Sequence, residues 1–218
     1  MTPDEVHPRS ILDRTSTRSL STNNREVTLK PLFDYCPEPP FYLSDIKYIA
    51  SFGLSDLIKS LNFTHQFNES GRLATYFGTH DYAYSGGFHK AASLQLNPYI
   101  STIFSFISRI FPGMMLNSCL VNYYPNLNCG IPFHADNEIS IDNDSNIVTL
   151  SLGETRTMFF KPIDVKFCKI ISRVDLKDGD ILIFTRSSQN FYLHGIPPCF
   201  DPSNSPRPRL SLTFRKTV

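Results

Sequence analysis

SCLVNYYP (residues 118–125) is the first of six short runs rich in β-branched, aromatic and other apolar residues. The others are NIVTLSL (146–152), TRTMFFKP (155–162), GDILIFT (179–185), FYLHGIPP (191–198) and LSLTFRKT (210–217). Turn-forming residues (Gly, Pro, Asn, Asp or Ser) bound these runs, and this pattern is typical of strands joined by turns. Many short strands in succession predict an antiparallel β-sandwich or jelly roll over residues 117–218.

The pattern upstream of these strands is helical. LSDIKYIASFGLSDLIKSLNF (43–63) carries apolar residues at helical spacing and predicts one or two helices. NPYISTIFSFISRIF (97–111) predicts a further helix that ends at Pro112. The expected fold class is therefore α+β, with a double-stranded β-helix (jelly roll) core and supporting N-terminal helices.

The length of 218 residues is enough for one domain with a real hydrophobic core. Residues 1–26 are rich in Ser, Thr, Arg and Asn, and they predict a disordered N-terminal arm. Residues 27–218 are expected to form a single domain. Within it, residues 27–116 are expected to give helical support and a lid, and residues 117–218 the jelly-roll core.

Charge and cysteine content bear on the binding surfaces and the cellular location of the protein. The formal net charge is +1, so a phosphate-binding surface would have to be local. The five cysteines form no CxxC pair, which favours a reducing, intracellular and cytoplasmic location, with the nucleus left open. No apolar run is long enough to span a membrane, so no membrane partner is expected, and we expect a monomer.

HADNE (134–138) contains a His-x-Asp motif. Residues i and i+2 of a strand or a tight turn point the same way, so His134 and Asp136 can converge on one metal ion. His194, near the end of an apolar run, is the candidate third ligand. Two imidazoles and one carboxylate on one face leave positions open for a co-substrate and dioxygen, as non-haem Fe(II) oxygenases require. A His-x-Asp motif alone is a weak signal, however, and a lone histidine among aromatics is more often structural.

RPRLSLTFRKTV (207–218) strengthens the metal hypothesis. Arg209 and Arg215 are six residues apart on a strand pattern, so they share one face. On an inner face they would need anions, and a dicarboxylate such as 2-oxoglutarate supplies one at each end. The alternative is an edge strand with both arginines in solvent and Leu210, Leu212 and Phe214 facing the core.

Together these motifs resemble the AlkB family of dioxygenases over residues 72–216. LVNYYPN supplies Asn122 and Tyr124, HADNE the His-x-Asp, FYLHGIPP the second histidine and RLSLTFR the closing arginine pair. Ser211 stands where several relatives carry Asn, which could weaken one co-substrate hydrogen bond. LVNYYPNLNCGIPFHADNE also resembles the AlkB-like domains in replicase polyproteins of some plant RNA viruses, which would make the location the host cytoplasm.

The resemblance implies a set of roles for these residues. Fe(II) would be held by His134, Asp136 and His194, and 2-oxoglutarate by Asn122, Tyr124, Arg209, Ser211 and Arg215, with O2 as the second co-substrate. RLATYFGTHDYAYSGG (72–87) would be a flexible lid over a flipped base. The implied substrate contacts are Tyr76, Tyr82, Tyr84, Ser85 and Glu138. Hairpin packing is the alternative for the tyrosines, and His80 and His89 are interpreted as surface or capping residues.

The function expected from this resemblance is oxidative demethylation of N-methylated bases in RNA or single-stranded DNA, yielding formaldehyde, succinate and CO2. One alternative keeps the metal chemistry but acts on a protein side chain or a small molecule. Another is a non-catalytic binding domain of the same fold.

Overall fold

The computed structural model describes residues 18–22, 25–32, 41–67, 69–84, 87–142, 144–163 and 172–218. Two sheets dominate these ranges, and their strands pair in antiparallel fashion. The larger one has the strand order β1 (Arg18–Thr22), β2 (Arg25–Pro31), β3 (Phe41–Ser44), β13 (Ile181–Phe184), β10 (Ile147–Gly153), β15 (Arg209–Arg215), β8 (Ser118–Tyr124), β5 (Arg72–Gly78) and β4 (His65–Phe67). The smaller one has the order β12 (Ser172–Leu176), β11 (Arg156–Pro162), β14 (Tyr192–Ile196) and β9 (Ile131–His134). A separate hairpin pairs β6 (Tyr82–Tyr84) with β7 (Gly87–His89).

Helices cover one face of the larger sheet. These are α1 (Leu54–Ser60) and α2 (Pro98–Ile110), and α2 begins at an Asn97 cap with proline in its first turn. Ile103 and Ile107 of α2 are fully buried in one cluster with Val121 and Leu212 of the sheet. Burial of each such side chain contributes about 1.5–3 kcal/mol, so the helices are held by packing.

The opposite face of the larger sheet packs against the smaller one. Phe41 and Phe184 lie in one cluster with Met158 and Phe160, and the ring centroids of Phe41 and Phe160 are 4.3 Å apart. Two antiparallel sheets packed face to face form the expected jelly roll. The prediction of a double-stranded β-helix with supporting helices is confirmed.

β15 lies at the centre of the larger sheet, between β10 and β8. Leu210, Leu212 and Phe214 face the helices, and the intervening residues face the smaller sheet. Arg209 and Arg215 are 0% and 3% exposed. The edge-strand alternative for this segment is therefore wrong.

The first half of the chain contains more strand than its sequence predicts. β1 and the start of β2 lie inside the expected disordered arm 1–26, whose residues 1–17 and 23–24 are outside the described ranges. The backbone ladder between β1 and β2 explains this difference, because pairing does not require apolar composition. Residues 72–78, expected within a flexible lid, form β5, which pairs with β8 and β4. Helices therefore make up only part of residues 27–116, and the same range also contributes strands to the larger sheet.

Candidate active site

Neighbouring strands of the smaller sheet bring the two predicted histidine ligands side by side. His134 ends β9 and is the register partner of His194 on β14, and their ring centroids are 4.4 Å apart. Asp136 follows two residues later. One ring nitrogen of each histidine and one carboxylate oxygen all lie within 4.8 Å of one another. The three residues can therefore reach a single metal ion.

The hydrogen bonds of the histidines fit a metal. His134 Nδ1 lies 2.8 Å from the Pro132 carbonyl oxygen, and because a carbonyl only accepts, Nδ1 carries the proton. His134 Nε2 is then the ring nitrogen available to a metal, and it lies 3.7 Å from Asp136 Oδ1. His194 Nδ1 is buried and has no hydrogen-bond partner among the described residues. Imidazole nitrogens with a carboxylate are a donor set that suits Fe(II).

Electrostatics keep the ligand side chains in their metal-binding forms. Burial opposes the charge of Asp136, but Arg215 Nη2, 2.8 Å from Oδ1, and the two histidines hold the pKa of this carboxyl well below its usual range. Burial, followed by the charge of His134, lowers the pKa of His194 to about 3. At neutral pH Asp136 is therefore ionised and His194 neutral, as metal binding requires.

Gln189 positions Asp136, although no motif in the sequence predicts this role. Its side chain is fully buried, and its Oε1 accepts a hydrogen bond of 2.7 Å from the Asp136 backbone N–H. It lies in RSSQN (186–190), whose polar composition is typical of an exposed loop. No sequence signal distinguishes it from its neighbours.

The residues predicted to hold the co-substrate lie on adjacent strands of the larger sheet. Tyr124 and Asn122 of β8 are the register partners of Arg209 and Ser211 of β15. Of these four residues, Asn122, Tyr124 and Ser211 line the same cavity as the three candidate metal ligands, whereas Arg209 does not. Arg215 lines this cavity as well. The volume of the cavity, including its open mouth, is about 660 Å³. Arg209 is completely buried beside Tyr124, with its guanidinium carbon 5.2 Å from the ring centre.

Buried guanidinium donors without acceptors indicate an anion at this end of the cavity. Arg209 Nη2 donates to Ser151 Oγ over 2.9 Å, but its Nε and Nη1 have no hydrogen-bond partner among the described residues. Arg215 Nε and Nη1 are equally unpaired within the described ranges. Unmet buried donors are costly. A dicarboxylate such as 2-oxoglutarate therefore fits these residues.

Arg72 of β5 is a further cation at the site, and no motif in the sequence predicts it. It lines the cavity and is 7% exposed. Its Nη1 donates to Asn122 Oδ1, and its guanidinium carbon lies 3.8 Å from the centre of the Phe67 ring. The sequence does not reveal this role, because the Tyr-, Gly- and Ser-rich composition of residues 72–87 predicts a flexible loop.

Aromatic side chains of the β6–β7 hairpin form another wall of the cavity. Tyr82, Tyr84 and His89 all line it, and the Tyr82 and His89 rings are within 7° of parallel with centroids 6.1 Å apart. Glu138 lines it as well, and its Oε2 is buried without a hydrogen-bond partner among the described residues. The surface role expected for His89 is wrong, because this side chain is 2% exposed; burial lowers its pKa to about 3.

One predicted substrate contact does not line the cavity. Tyr76 is buried behind Tyr82, and its hydroxyl donates to the His80 carbonyl oxygen over 3.0 Å; it is not among the residues that line the cavity. Ser85 lies outside the described residues. His80 is exposed, as expected.

Two histidines and a carboxylate on a jelly roll, with nearby buried arginines that keep some donors unpaired among the described residues, are the features of a non-haem iron dioxygenase that uses 2-oxoglutarate. The family model described as "2OG-Fe(II) oxygenase superfamily" matches residues 59–215. The chain therefore belongs to this superfamily, as an AlkB-like member. Its cofactor is Fe(II), and its co-substrates are 2-oxoglutarate and O2.

Relatives of the chain include mammalian and viral proteins. It is 29% identical over 154 residues to mouse (Mus musculus) alpha-ketoglutarate-dependent dioxygenase alkB homolog 3, covering 66% of this chain and 51% of that protein. The chain thus spans about half the length of this relative. It is 28% identical over 158 residues to replicase protein 1a of Grapevine leafroll-associated virus 3, covering 71% of this chain and 6% of the replicase.

Among solved structures, OsALKBH1 has the same fold. The TM-score is 0.52 at 18% sequence identity, with 82% of this chain and 97% of that chain covered. Within the described ranges, no helix has the length and apolar character needed to cross a membrane.

Proposed function

We propose that the protein is an oxidative demethylase of N-methylated bases in RNA or single-stranded DNA. The observation that carries the proposal is the composition of one cavity. The three candidate metal ligands, the aromatic wall of Tyr82 and Tyr84, and the unpaired carboxylate oxygen of Glu138 all border it. An extruded base needs stacking surfaces and a polar group for its edge, and this wall offers both.

The residues of the chain have separate tasks in this proposal. Asn122, Tyr124, Arg209, Ser211 and Arg215 hold and orient 2-oxoglutarate. Tyr82 and Tyr84 stack on the base, while Glu138 accepts a hydrogen bond from its amino group. When bound, iron and 2-oxoglutarate supply the oxidation of the methyl group by O2, yielding succinate and CO2, and the hydroxymethyl product loses formaldehyde.

Formaldehyde release tests the proposal directly. RNA and single-stranded DNA oligonucleotides, each with one N-methylated adenine or cytosine, are incubated with the Fe(II)-loaded protein and 2-oxoglutarate. We expect loss of the methyl mass together with formaldehyde, and neither product with the His134→Ala variant or without 2-oxoglutarate.

Glu138→Gln separates base recognition from the oxidation chemistry. The amide keeps the size of the side chain but loses the negative charge, so we expect kcat/KM for the oligonucleotide to fall about tenfold or more. The dissociation constant of 2-oxoglutarate should not change.

Turnover of 2-oxoglutarate only with a peptide or a metabolite would reject the nucleic-acid substrate. No turnover with any substrate would favour a non-catalytic binding domain. The monomeric state and the cytoplasmic location stay predictions.

A further inference from the structure

Arg72 is a buried cation that forms no ion pair within the described part of the chain. Its Nε is buried without a hydrogen-bond partner there, while its Nη1 donates to Asn122 Oδ1. Arg72 and Asn122 lie on adjacent strands, β5 and β8, and both side chains line the cavity. The stacking contact with Phe67, 3.8 Å from ring centre to guanidinium carbon, holds Arg72 in place.

The chemistry of this hydrogen bond decides the orientation of the Asn122 amide. A guanidinium has donors only, so the atom that faces it must be the amide oxygen. The amide nitrogen of Asn122 is then directed away from Arg72, and it takes no protein acceptor among the described residues. A side chain that could present either an acceptor or a donor to the cavity is thereby restricted to presenting its NH2 group.

The orientation matters because the expected co-substrate is an anion. An NH2 group stabilises a carboxylate, whereas an amide oxygen turned toward it would repel it. The two neighbouring arginines resemble Arg72 in having one protein acceptor each. Arg209 donates to Ser151 and Arg215 donates to Asp136, and each has further donors that are unpaired among the described residues.

We propose that Arg72 is a positioning residue for 2-oxoglutarate: by binding the Asn122 amide oxygen, it directs the Asn122 NH2 group toward a co-substrate carboxylate. This inference rests on the proposed role of Asn122 as a co-substrate contact. It does not depend on which methylated substrate the enzyme oxidises.

A double-mutant cycle on co-substrate binding tests the inference. The chain contains no Trp for fluorescence, so binding of N-oxalylglycine, an inert analogue of 2-oxoglutarate, is measured by calorimetry on the Mn(II)-loaded protein. Wild type, Arg72→Met, Asn122→Ala and the double variant are compared. We expect each single variant to bind roughly 10- to 100-fold more weakly, the range for one hydrogen bond to a charged group. The double variant should be little weaker than Asn122→Ala, because Arg72 acts through Asn122.

Two further variants complete the experiment. Arg72→Lys retains a donor for the amide oxygen and should recover part of the lost affinity. Arg109→Met, which removes an exposed arginine of α2, should leave affinity unchanged. Mn(II) affinity and far-ultraviolet circular dichroism identify any variant that fails to fold, and Arg72→Lys then replaces Arg72→Met in the cycle.

Fully additive losses in the double variant would overturn the inference, as would unchanged affinity in either single variant. Neither result affects the proposed demethylase activity, because no nucleic acid is present in this measurement. Conversely, a failure to release formaldehyde from any oligonucleotide would leave the coupling between Arg72 and Asn122 intact.

Discussion

Asp136 shows at the scale of single residues how one side chain can serve two partners. Its carboxylate lies among the metal-binding nitrogens and also 2.8 Å from Arg215 Nη2. Arg215 is 3% exposed, so it depends on this partner in the metal-free protein. The same charge therefore supports both metal binding and the fold.

We predict that Asp136→Ala abolishes turnover and also destabilises the metal-free protein. Mn(II) affinity should fall at least 100-fold, since the carboxylate of the two-histidine, one-carboxylate cluster is removed. The unfolding free energy from urea titration should drop by about 3–5 kcal/mol, because an unpaired buried arginine remains.

Asp142→Ala is the matched control for this variant. It removes a more exposed carboxylate whose partner is Lys216, at 2.6 Å, and should change metal affinity little. Substantial turnover by Asp136→Ala would contradict the iron assignment.

Arg209→Ala should raise the KM for 2-oxoglutarate far more than the KM for the oligonucleotide. Arg209 is buried beside Tyr124 with two donor nitrogens unpaired among the described residues. Steady-state kinetics should show the KM for 2-oxoglutarate rising about tenfold or more, with little change in the KM for the oligonucleotide. Equal effects on both constants would count against a role for Arg209 in co-substrate binding.

At the scale of elements, α2 is a scaffold for the site and not part of it. Its N-terminus is held by Asn97, whose Oδ1 accepts from the Tyr99 and Ile100 backbone N–H groups at 3.0 and 3.1 Å. Asn97 Nδ2 also donates to Ser60 Oγ over 2.9 Å, which ties α1 to α2. The cap thus supports the layer on which the larger sheet rests.

Asn97→Ala should lower stability without changing catalysis. We expect a loss of about 1–2 kcal/mol in the unfolding free energy, because the helix cap and the bond to Ser60 are both removed. Ser105→Ala, at an exposed position of the same helix, should cause no such loss. A fall in kcat for folded Asn97→Ala would show that α2 does more than support the sheet.

At the scale of the whole molecule, the site joins the two sheets of the jelly roll. His134 and His194 belong to the smaller sheet, whereas Arg209 and Arg215 belong to the larger one. Ligands that bridge the two sheets should therefore stabilise the domain as a unit. The effect follows from mass action, since only the folded chain presents all these groups together.

Mn(II) with N-oxalylglycine should raise the melting temperature, and a chelator should reverse the rise. At 100 times the dissociation constant, the stabilisation is about 2.7 kcal/mol. Differential scanning calorimetry measures the melting temperatures of wild type and Arg209→Ala. At equal concentrations of N-oxalylglycine, the melting temperature of the variant should rise less than that of wild type. No shift in wild type would argue against a site that bridges the sheets.

Several features of the site follow from local sequence, and others do not. The even spacing of Arg209 and Arg215 predicts a shared face, since alternation is a property of the strand itself. The close spacing of His134 and Asp136 keeps the two side chains near each other, although Asp136 lies two residues beyond the end of β9. Arg72, Gln189 and His89 could not be predicted in this way. Arg72 and His89 line the cavity, and Gln189 binds the Asp136 backbone, because distant segments pack together. A single sequence does not specify which segments meet.

The sequence alone determined three features: the succession of short strands, the helix over residues 98–110, and the order of the metal and arginine motifs. They depend on period, capping and turn residues, which act over a few positions. Only the tertiary structure decided that β5 pairs with β8, that β15 is central, and that Arg72 and Arg215 line one cavity. Those outcomes depend on backbone pairing and burial between residues far apart in the chain, where composition carries no information about the partner.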